Sequence, residues 1–331
     1  MSASAPLVIA HRGASGYRPE HSRAAFELAI ALGAGALEPD LVPTKDGVLV
    51  IRHENEISGT TDVAEHPEFA SRRATKTIDG AELTGWFTED FTWAELSTLR
   101  VNERLPKTRQ ANTTFDGIQP ILRLSDLRSI IEAAPTPPIM VAELKHATYF
   151  DSIGLPLAEL FAAETSGWAT PDNLVIESFE ETVLHDARER GVPGKTIYLF
   201  EDGNSAADLL ARLGSSAPTY ADQLADASFA RIAASGIDGI SVDKSLLLKK
   251  DAAGPASSIT TLVERAHAAG LVAFCWTLRP ENRFLSNRFQ HGIKARDWGN
   301  WRAEFELILG TGVDGVFADH PDLVLSLLDE R

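Results

Sequence analysis

Apolar positions along this chain fall into short runs that alternate with stretches of helical periodicity. Eight runs read as strands that could lie parallel: 7–11, 36–42, 139–145, 173–179, 196–200, 239–242, 272–277 and 315–319. Between most of them lie helix patterns, the first over 22–32, where Ala25, Leu28, Ala29 and Leu32 recur at helical spacing and Ser22 can cap the amino end. Further helices are expected over 156–166, 180–190, 206–213, 258–269 and 302–309, several stopped by glycine. Strand followed by helix, eight times over, predicts an α/β chain closed into a (β/α)8 TIM barrel.

Two segments stand outside that rhythm. The turn Thr44-Lys45-Asp46-Gly47 is too short to join parallel strands, so 36–44 and 47–53 are expected to form a hairpin, with 48–53 an extra antiparallel strand at the barrel mouth and His53 roughly opposite Asp40. Residues 55–120 are polar and weakly periodic, with Trp86, Phe87, Phe91, Trp93 and Phe115 set among charges. They read as an inserted subdomain over the mouth of a single domain spanning 1–331, its aromatic residues packing within the insert or lining a substrate entrance. Loops of that length in compact domains usually serve function.

The net charge of −16 disfavours general binding to nucleic acid or anionic membranes, where phosphate neutralisation dominates affinity. The single cysteine, Cys275, lies in an apolar run, which excludes an intrachain disulfide and suggests a core thiol. No apolar run approaches the roughly 20 residues of a membrane span. The start, MSASAPLVIAH, lacks a basic region and a long apolar region, so no signal peptide is expected and the chain as it stands reads as cytoplasmic. An exported and trimmed form stays open, and the oligomeric state leaves no mark in the sequence.

Candidate chemistry concentrates in the first fifty-odd residues. His11 and Arg12 end the first strand, Glu20 follows, Glu38 and Asp40 sit two apart on one strand face, and His53 ends the hairpin. Active sites of such barrels lie at the carboxyl ends of the strands, where Glu143 and Lys145 also fall. Carboxylates so spaced suit a hard divalent cation, and imidazoles suit proton transfer near neutral pH. Among the other candidates, Glu177 ends the fourth strand and could line the pocket, His21 reads as a cap or supporting group, and His146 as a substrate contact or surface residue. His66, His185, His267 and His291 are expected to face solvent, and His320 to stabilise the barrel.

Seven motifs in order along the chain resemble the glycerophosphodiester phosphodiesterase family, in particular its bacterial periplasmic-type branch. They are His11-Arg12-Gly13-Ala14-Ser15-Gly16, Pro19-Glu20-His21-Ser22, Glu38-x-Asp40, Thr44-Lys45-Asp46-Gly47, His53-Glu54, Glu143-Leu144-Lys145, and Asp314 through Pro321. The stretches Thr61-Asp62-Val63, Trp86 through Phe91, and Glu103-Arg104-Leu105-Pro106 of the insert are similar to that branch as well. The chain departs from the family in carrying Ser22 where threonine is usual, Glu54 where aspartate is usual, and Leu122-Arg123 where Pro-Thr is usual.

The resemblance implies a TIM barrel that hydrolyses glycerophosphodiesters to sn-glycerol 3-phosphate and an alcohol with one divalent cation, calcium or magnesium. It implies His11 and His53 as the acid/base pair, and Glu38, Asp40 and Glu143 as metal ligands. Arg12 would clamp the phosphate, with Lys145 as a second cation and Trp276 as a wall of the glycerol pocket; Glu20 would support. The implied partner is a small-molecule glycerophosphodiester. Alternatives are a lysophospholipase D-like enzyme or a teichoic-acid hydrolase on the same barrel, or a non-catalytic polyol-phosphate-binding barrel.

Overall fold

The computed structural model describes residues 5–249 and 259–330. Among them the strands are β1 (Leu7–His11), β2 (Ala36–Glu38), β3 (Asp40–Pro43), β4 (Leu49–Ile51), β5 (Ala74–Ile78), β6 (Ala81–Gly85), β7 (Ile139–Leu144), β8 (Leu174–Ser178), β9 (Lys195–Phe200), β10 (Gly239–Asp243), β11 (Val272–Leu278) and β12 (Gly315–Ala318). Parallel pairing runs β2-β1-β12-β11-β10-β9-β8-β7-β3, and β2 also bonds β7, which closes the barrel. Helices lie between the strands, as the alternation predicts.

The expected strand over 36–42 is two pieces, because Pro39 has no N–H to contribute to the ladder. Its partner register does not slip: Ala36 pairs with Ile139 and Asp40 with Glu143, the same offset on either side of the proline. The hairpin forms, with Leu41 opposite Ile51 and Pro43 opposite Leu49. Arg52 bonds the Asp40 carbonyl at 3.0 Å, so His53 falls one residue beyond the expected position and projects past the strand end. Ser22 caps the helix Arg23–Ala31 by accepting from the Ala25 N–H at 3.1 Å. The helix expected over 258–269 is found as Leu262–Ala268, and Ser258 lies outside the described residues.

Two apolar layers hold the barrel. Ile9, Ala36, Val141, Val175, Ile197, Phe274 and Phe317 plug its interior, one from each of seven strands. A larger layer, with Phe26, Phe161, Phe200, Phe229 and Phe305, fills the space between strands and helices. Burial of each such side chain is worth roughly 1.5–3 kcal/mol. Cys275 is buried here, as its apolar context suggests. No described helix is long and apolar enough to cross a membrane.

Residues 55–120 form the antiparallel pair β5–β6, a short helix Trp93–Leu96 and 3-10 turns including Pro67–Arg72 and Gln110–Phe115. Ile57, Val63, Phe69, Trp86, Phe91, Leu96, Leu99 and Val101 make an apolar cluster of their own that continues into Val42, Val50 and Phe150 of the barrel. Trp86 donates to the Phe69 carbonyl at 2.7 Å, and Phe87 and Phe91 are fully buried. Arg123 lies over the Trp93 ring and Arg18 over the Phe115 ring.

Candidate active site

A strand repeats its facing every second residue. Two positions beyond the seven interior plugs come His11, Glu38, Glu143, Glu177, Leu199, Trp276 and Asp319, at the carboxyl end of the barrel. All but Asp319 line a cavity of about 350 Å³, together with Arg12, His53, Lys145, Phe179 and Arg279 among others. At five of these seven positions the sequence changes from apolar to ionisable at one level of the barrel, Leu199 and Trp276 staying apolar.

After His11 the chain must turn sharply toward the helix Arg23–Ala31. Arg12 and Gly13 both take positive φ, and a Cβ on Gly13 would lie 2.7 Å from the Ala25 carbonyl carbon, so only glycine fits. Ser15 fixes the turn by donating to the His11 carbonyl at 2.8 Å.

Each candidate histidine has its Nδ1 held by a carboxylate. His11 Nδ1 is 2.6 Å from Asp319 Oδ1, and His53 Nδ1 is 2.5 Å from Glu54 Oε1. That arrangement leaves Nε2 as the nitrogen for proton exchange. Burial, then the Arg12 charge, lowers His11 to about 4 although Asp319 opposes. Burial, Arg12 and Lys145 lower His53 to about 3. Both rings are therefore neutral at neutral pH. Asp319 stays well below the usual carboxylate range because Arg279, Arg109 and His11 outweigh the cost of its burial.

Glu38, Glu143 and Glu177 offer carboxylate oxygens within 4.8 Å of one another, and all three are buried. Burial and the neighbouring Asp40 charge push Glu38 well above its usual range; burial and the charges of Glu143 and Asp40 do the same to Glu177. Burial raises Glu143 to about 8, with Lys145 opposing and Asp40 adding. Glu177 Oε2 has no hydrogen-bond partner. Three buried carboxylates short of compensating charge, one with an orphaned oxygen, are an all-oxygen donor set that fits a hard divalent cation. Asp40 stands within 4.8 Å of Glu38 and His21, with Arg12 Nε at 3.2 Å, His21 Nε2 at 3.1 Å and Lys145 Nζ at 3.7 Å. Despite burial, its surroundings of His53, Lys145 and Arg12, with the hydrogen bond to His21, hold it well below its usual range.

Cations face this acid. Arg12 bonds Glu20 Oε2 through Nη1 at 3.0 Å, and its backbone N–H donates to Glu38 Oε2 at 2.6 Å. Lys145 Nζ sits 2.8 Å from Glu143 and 3.3 Å from His53 Nε2. Trp276, half-buried, meets Phe179 edge-on at 5.7 Å along one wall. Glu20 joins Arg12 to Arg104, whose Nη2 reaches Glu20 Oε1 at 2.6 Å.

The structure therefore brings together His11, Arg12, Glu38, His53, Glu143, Lys145 and Trp276 around one cavity, with Asp40 and Glu20 against Arg12. Glu177 joins the carboxylate cluster. Asp319, Arg279, Arg104 and Arg109 were given no role by the sequence; period two from Phe317 would have found Asp319, whereas the arginines carry no periodic signal. His21 is fully buried against Asp40 and leaves the capping to Ser22. His146 pairs with Asp79 at 2.5 Å at an adjoining cavity of about 650 Å³. His267 and His291 face solvent as expected, but His66 and His185 are half-buried beside carboxylates, Glu68 and Glu181 respectively. None of the five insert aromatic residues lines this cavity: Trp86, Phe91 and Trp93 pack in the insert cluster, Phe87 is fully buried, and Phe115 lies under Arg18.

The chain is similar to known proteins over nearly its whole length. The model of the glycerophosphoryl diester phosphodiesterase family matches residues 11–323. A glycerophosphodiester phosphodiesterase of Arabidopsis thaliana, GDPD6, is 28% identical over 345 aligned residues, covering 96% of this chain and 85% of the relative. The fold is similar to that of a candidate glycerophosphoryl diester phosphodiesterase from Silicibacter pomeroyi, with TM-score 0.68, 21% identity and coverage of 99% and 94% of the two chains. It is also similar to an Oleispira antarctica phosphodiesterase in complex with the product sn-glycerol-3-phosphate, with TM-score 0.62, 19% identity and coverage of 98% and 97%.

Proposed function

This chain belongs to the glycerophosphoryl diester phosphodiesterase family, and from that premise we propose that it hydrolyses glycerophosphodiesters to sn-glycerol 3-phosphate and an alcohol in the cavity at the carboxyl end of its barrel. One observation carries the reading. Two histidines, each with Nδ1 fixed by a carboxylate, share a cavity with a buried acidic cluster and three cations.

His11 and His53 are the proton-transferring pair, neutral before substrate arrives and working through Nε2. One takes the proton of the attacking hydroxyl and later releases it to solvent; the other gains a proton from solvent on Nε2 as the anionic phosphate enters and gives that proton to the leaving alcohol. Arg12, with its planar fork of donors, and Lys145 hold the phosphate, and Trp276 forms a wall of the glycerol pocket. Glu38, Asp40 and Glu143, joined by Glu177, hold one divalent cation, calcium or magnesium, which when bound polarises a phosphoryl oxygen. Glu20 supports Arg12. Residues 55–120 are an insert within the one barrel domain.

A second reading has its own support. The cavity of about 650 Å³ shares Glu143, Lys145, Phe179 and Glu201 with the catalytic one, which leaves room for an alcohol larger than choline or ethanolamine, as in lysophospholipase D-like or teichoic-acid hydrolases.

The test is release of glycerol 3-phosphate from glycerophosphocholine and glycerophosphoethanolamine by chelator-treated protein, with calcium, magnesium or neither restored. Release that needs metal and falls on the order of 10²-fold or more in His11→Ala or His53→Ala is expected. No release with either metal moves the search to larger diesters, and failure there too leaves a binding barrel.

A further inference from the structure

The insert reaches into the catalytic centre at two points, through arginines five residues apart on one turn. Arg104 grips Glu54 with both ends of its fork, Nη1 to Oε1 at 2.8 Å and Nη2 to Oε2 at 2.6 Å. Glu54 is the carboxylate on His53 Nδ1. Arg109 Nη2 is 2.5 Å from Asp319 Oδ2, and Asp319 is the carboxylate on His11 Nδ1. From residues 50 and 210 positions away along the chain, each arginine completes the same sequence of contacts: guanidinium, carboxylate, imidazole.

The turn itself is braced. Glu103 accepts from the Leu105 N–H at 2.7 Å and from Asn112 Nδ2 at 2.9 Å, and the Arg109 N–H bonds the Leu105 carbonyl at 2.8 Å. Arg109 is buried and doubly anchored, with Nε on Glu281 Oε1 at 2.8 Å and Nη1 on the Ser15 carbonyl at 3.1 Å. A side chain so tied cannot turn out to meet substrate, and neither Arg104 nor Arg109 lines the catalytic cavity.

We propose that Arg104 and Arg109 are positioning residues for the two catalytic histidines, so that residues 103–109 form a strap that sets both imidazoles at once. The proposal rests on the reading of His11 and His53 as the acid/base pair. A carboxylate held from behind by a guanidinium keeps a fixed orientation and stays an acceptor for Nδ1–H. That contact fixes the tautomer in which Nε2 does the chemistry. The two clamps are unequal: Asp319 is also held by Arg279 Nε at 2.7 Å, whereas Arg104 is the guanidinium on Glu54. Arg104 additionally touches Glu20, and through it Arg12.

The experiment measures kcat and KM on glycerophosphodiester for Arg104→Met, Arg109→Met and the corresponding lysine variants, with thermal melts to show that each folds. Loss of an outer partner of this kind costs about 10–100-fold, and the expected loss is in kcat, larger for Arg104→Met than for Arg109→Met, with KM for Arg109→Met within about twofold. Arg109→Lys, which keeps the charge but not the fork, should fall between wild type and Arg109→Met. In a His11→Ala background Arg109→Met should cost nothing further, because it acts through the missing ring. A kcat unchanged in both methionine variants, or an undiminished loss in the His11→Ala background, overturns the proposal. Should a methionine variant not fold, the lysine variant carries the same comparison. Proton NMR of the Nδ1–H signals reads the clamps without turnover: the His11 and His53 resonances should broaden or shift upfield in Arg109→Met and Arg104→Met respectively, and unmoved resonances count against the strap. Wild-type protein inactive on every diester would remove the proposed function, a result distinct from an active enzyme indifferent to its strap.

Discussion

The barrel strands and the insert at 55–120 are both well packed, yet they are put together by different rules. In the barrel a repeat of two carries five of the seven plugged strands from an apolar plug to an ionisable residue, as Ile9 to His11 or Val175 to Glu177. In the insert, position follows from single contacts: Trp86 to the Phe69 carbonyl, Lys76 to Glu89 and Asp90, Arg72 to Glu95. Regular hydrogen bonding lets a barrel strand place a side chain by register alone. An irregular loop must place each side chain by its own partners, which makes it the place where polar clamps collect.

The largest test of this contrast is core truncation in both regions. Ile197→Ala in the barrel plug and Phe91→Ala in the insert, both fully buried, should each cost about 2–5 kcal/mol. Because the insert cluster runs on into Val42, Val50 and Phe150, both losses are expected in one cooperative transition, read by urea unfolding. Two separate transitions in Phe91→Ala, with amide exchange confined to 55–120, would show the insert to be a module merely resting on the barrel.

Much of the barrel was legible because each strand is a short apolar run, and the eight expected runs are all found, seven intact and one split at Pro39. His11, Glu38, Glu143 and Trp276 sit at strand ends where the pattern turns polar, and the structure sets them round one cavity. Glu177 has the same signature but was assigned to the pocket wall; its part in the acidic cluster needed the register of β7 on β8, which pairs Glu143 with Glu177. Asp319 lies within a recognised motif, yet its contact with His11 exists only because β1 and β12 meet when the barrel closes. For Arg104 and Arg109 nothing periodic was available, since the partners of a loop arginine are set by tertiary structure alone.

A middle-sized effect tests the acidic cluster that the register assembles. Glu38, Glu143 and Glu177 all hold protons more tightly than ordinary carboxylates, principally because they are buried. Divalent-cation binding should therefore release protons at neutral pH, and its affinity should rise with pH through about 8, the value for Glu143. Calorimetry in buffers of different ionisation enthalpy reads the release directly. Glu177→Gln should weaken binding by about 10–100-fold if Glu177 is a ligand or its close support, and unchanged affinity would return it to the pocket wall.

The smallest effect compares one histidine from each region, and the two should differ in sign. His320, beside the barrel end of β12, is buried between Tyr17 and Trp298 and lowered to about 4, first by burial and then by the charge of Arg109. The folded state therefore binds this proton less readily than the unfolded chain, whose histidine titrates near 6.5. The stability lost is nil well above 6.5 and grows as pH falls from there toward 4, reaching about 2 kcal/mol at pH 5. His66, in the insert, is raised by its hydrogen bond to Glu68. Its contribution is present below the unfolded value and disappears as pH rises through the folded one, and exposure of Glu68 to solvent keeps it small. Urea unfolding at pH 7 and pH 5 should accordingly show His320→Gln less sensitive to acid than wild type by about 2 kcal/mol, with His66→Gln shifted slightly the other way. A His320→Gln variant that keeps the full acid sensitivity would place that loss in other buried groups, and would break the link between Arg109 of the insert and the barrel residue it faces.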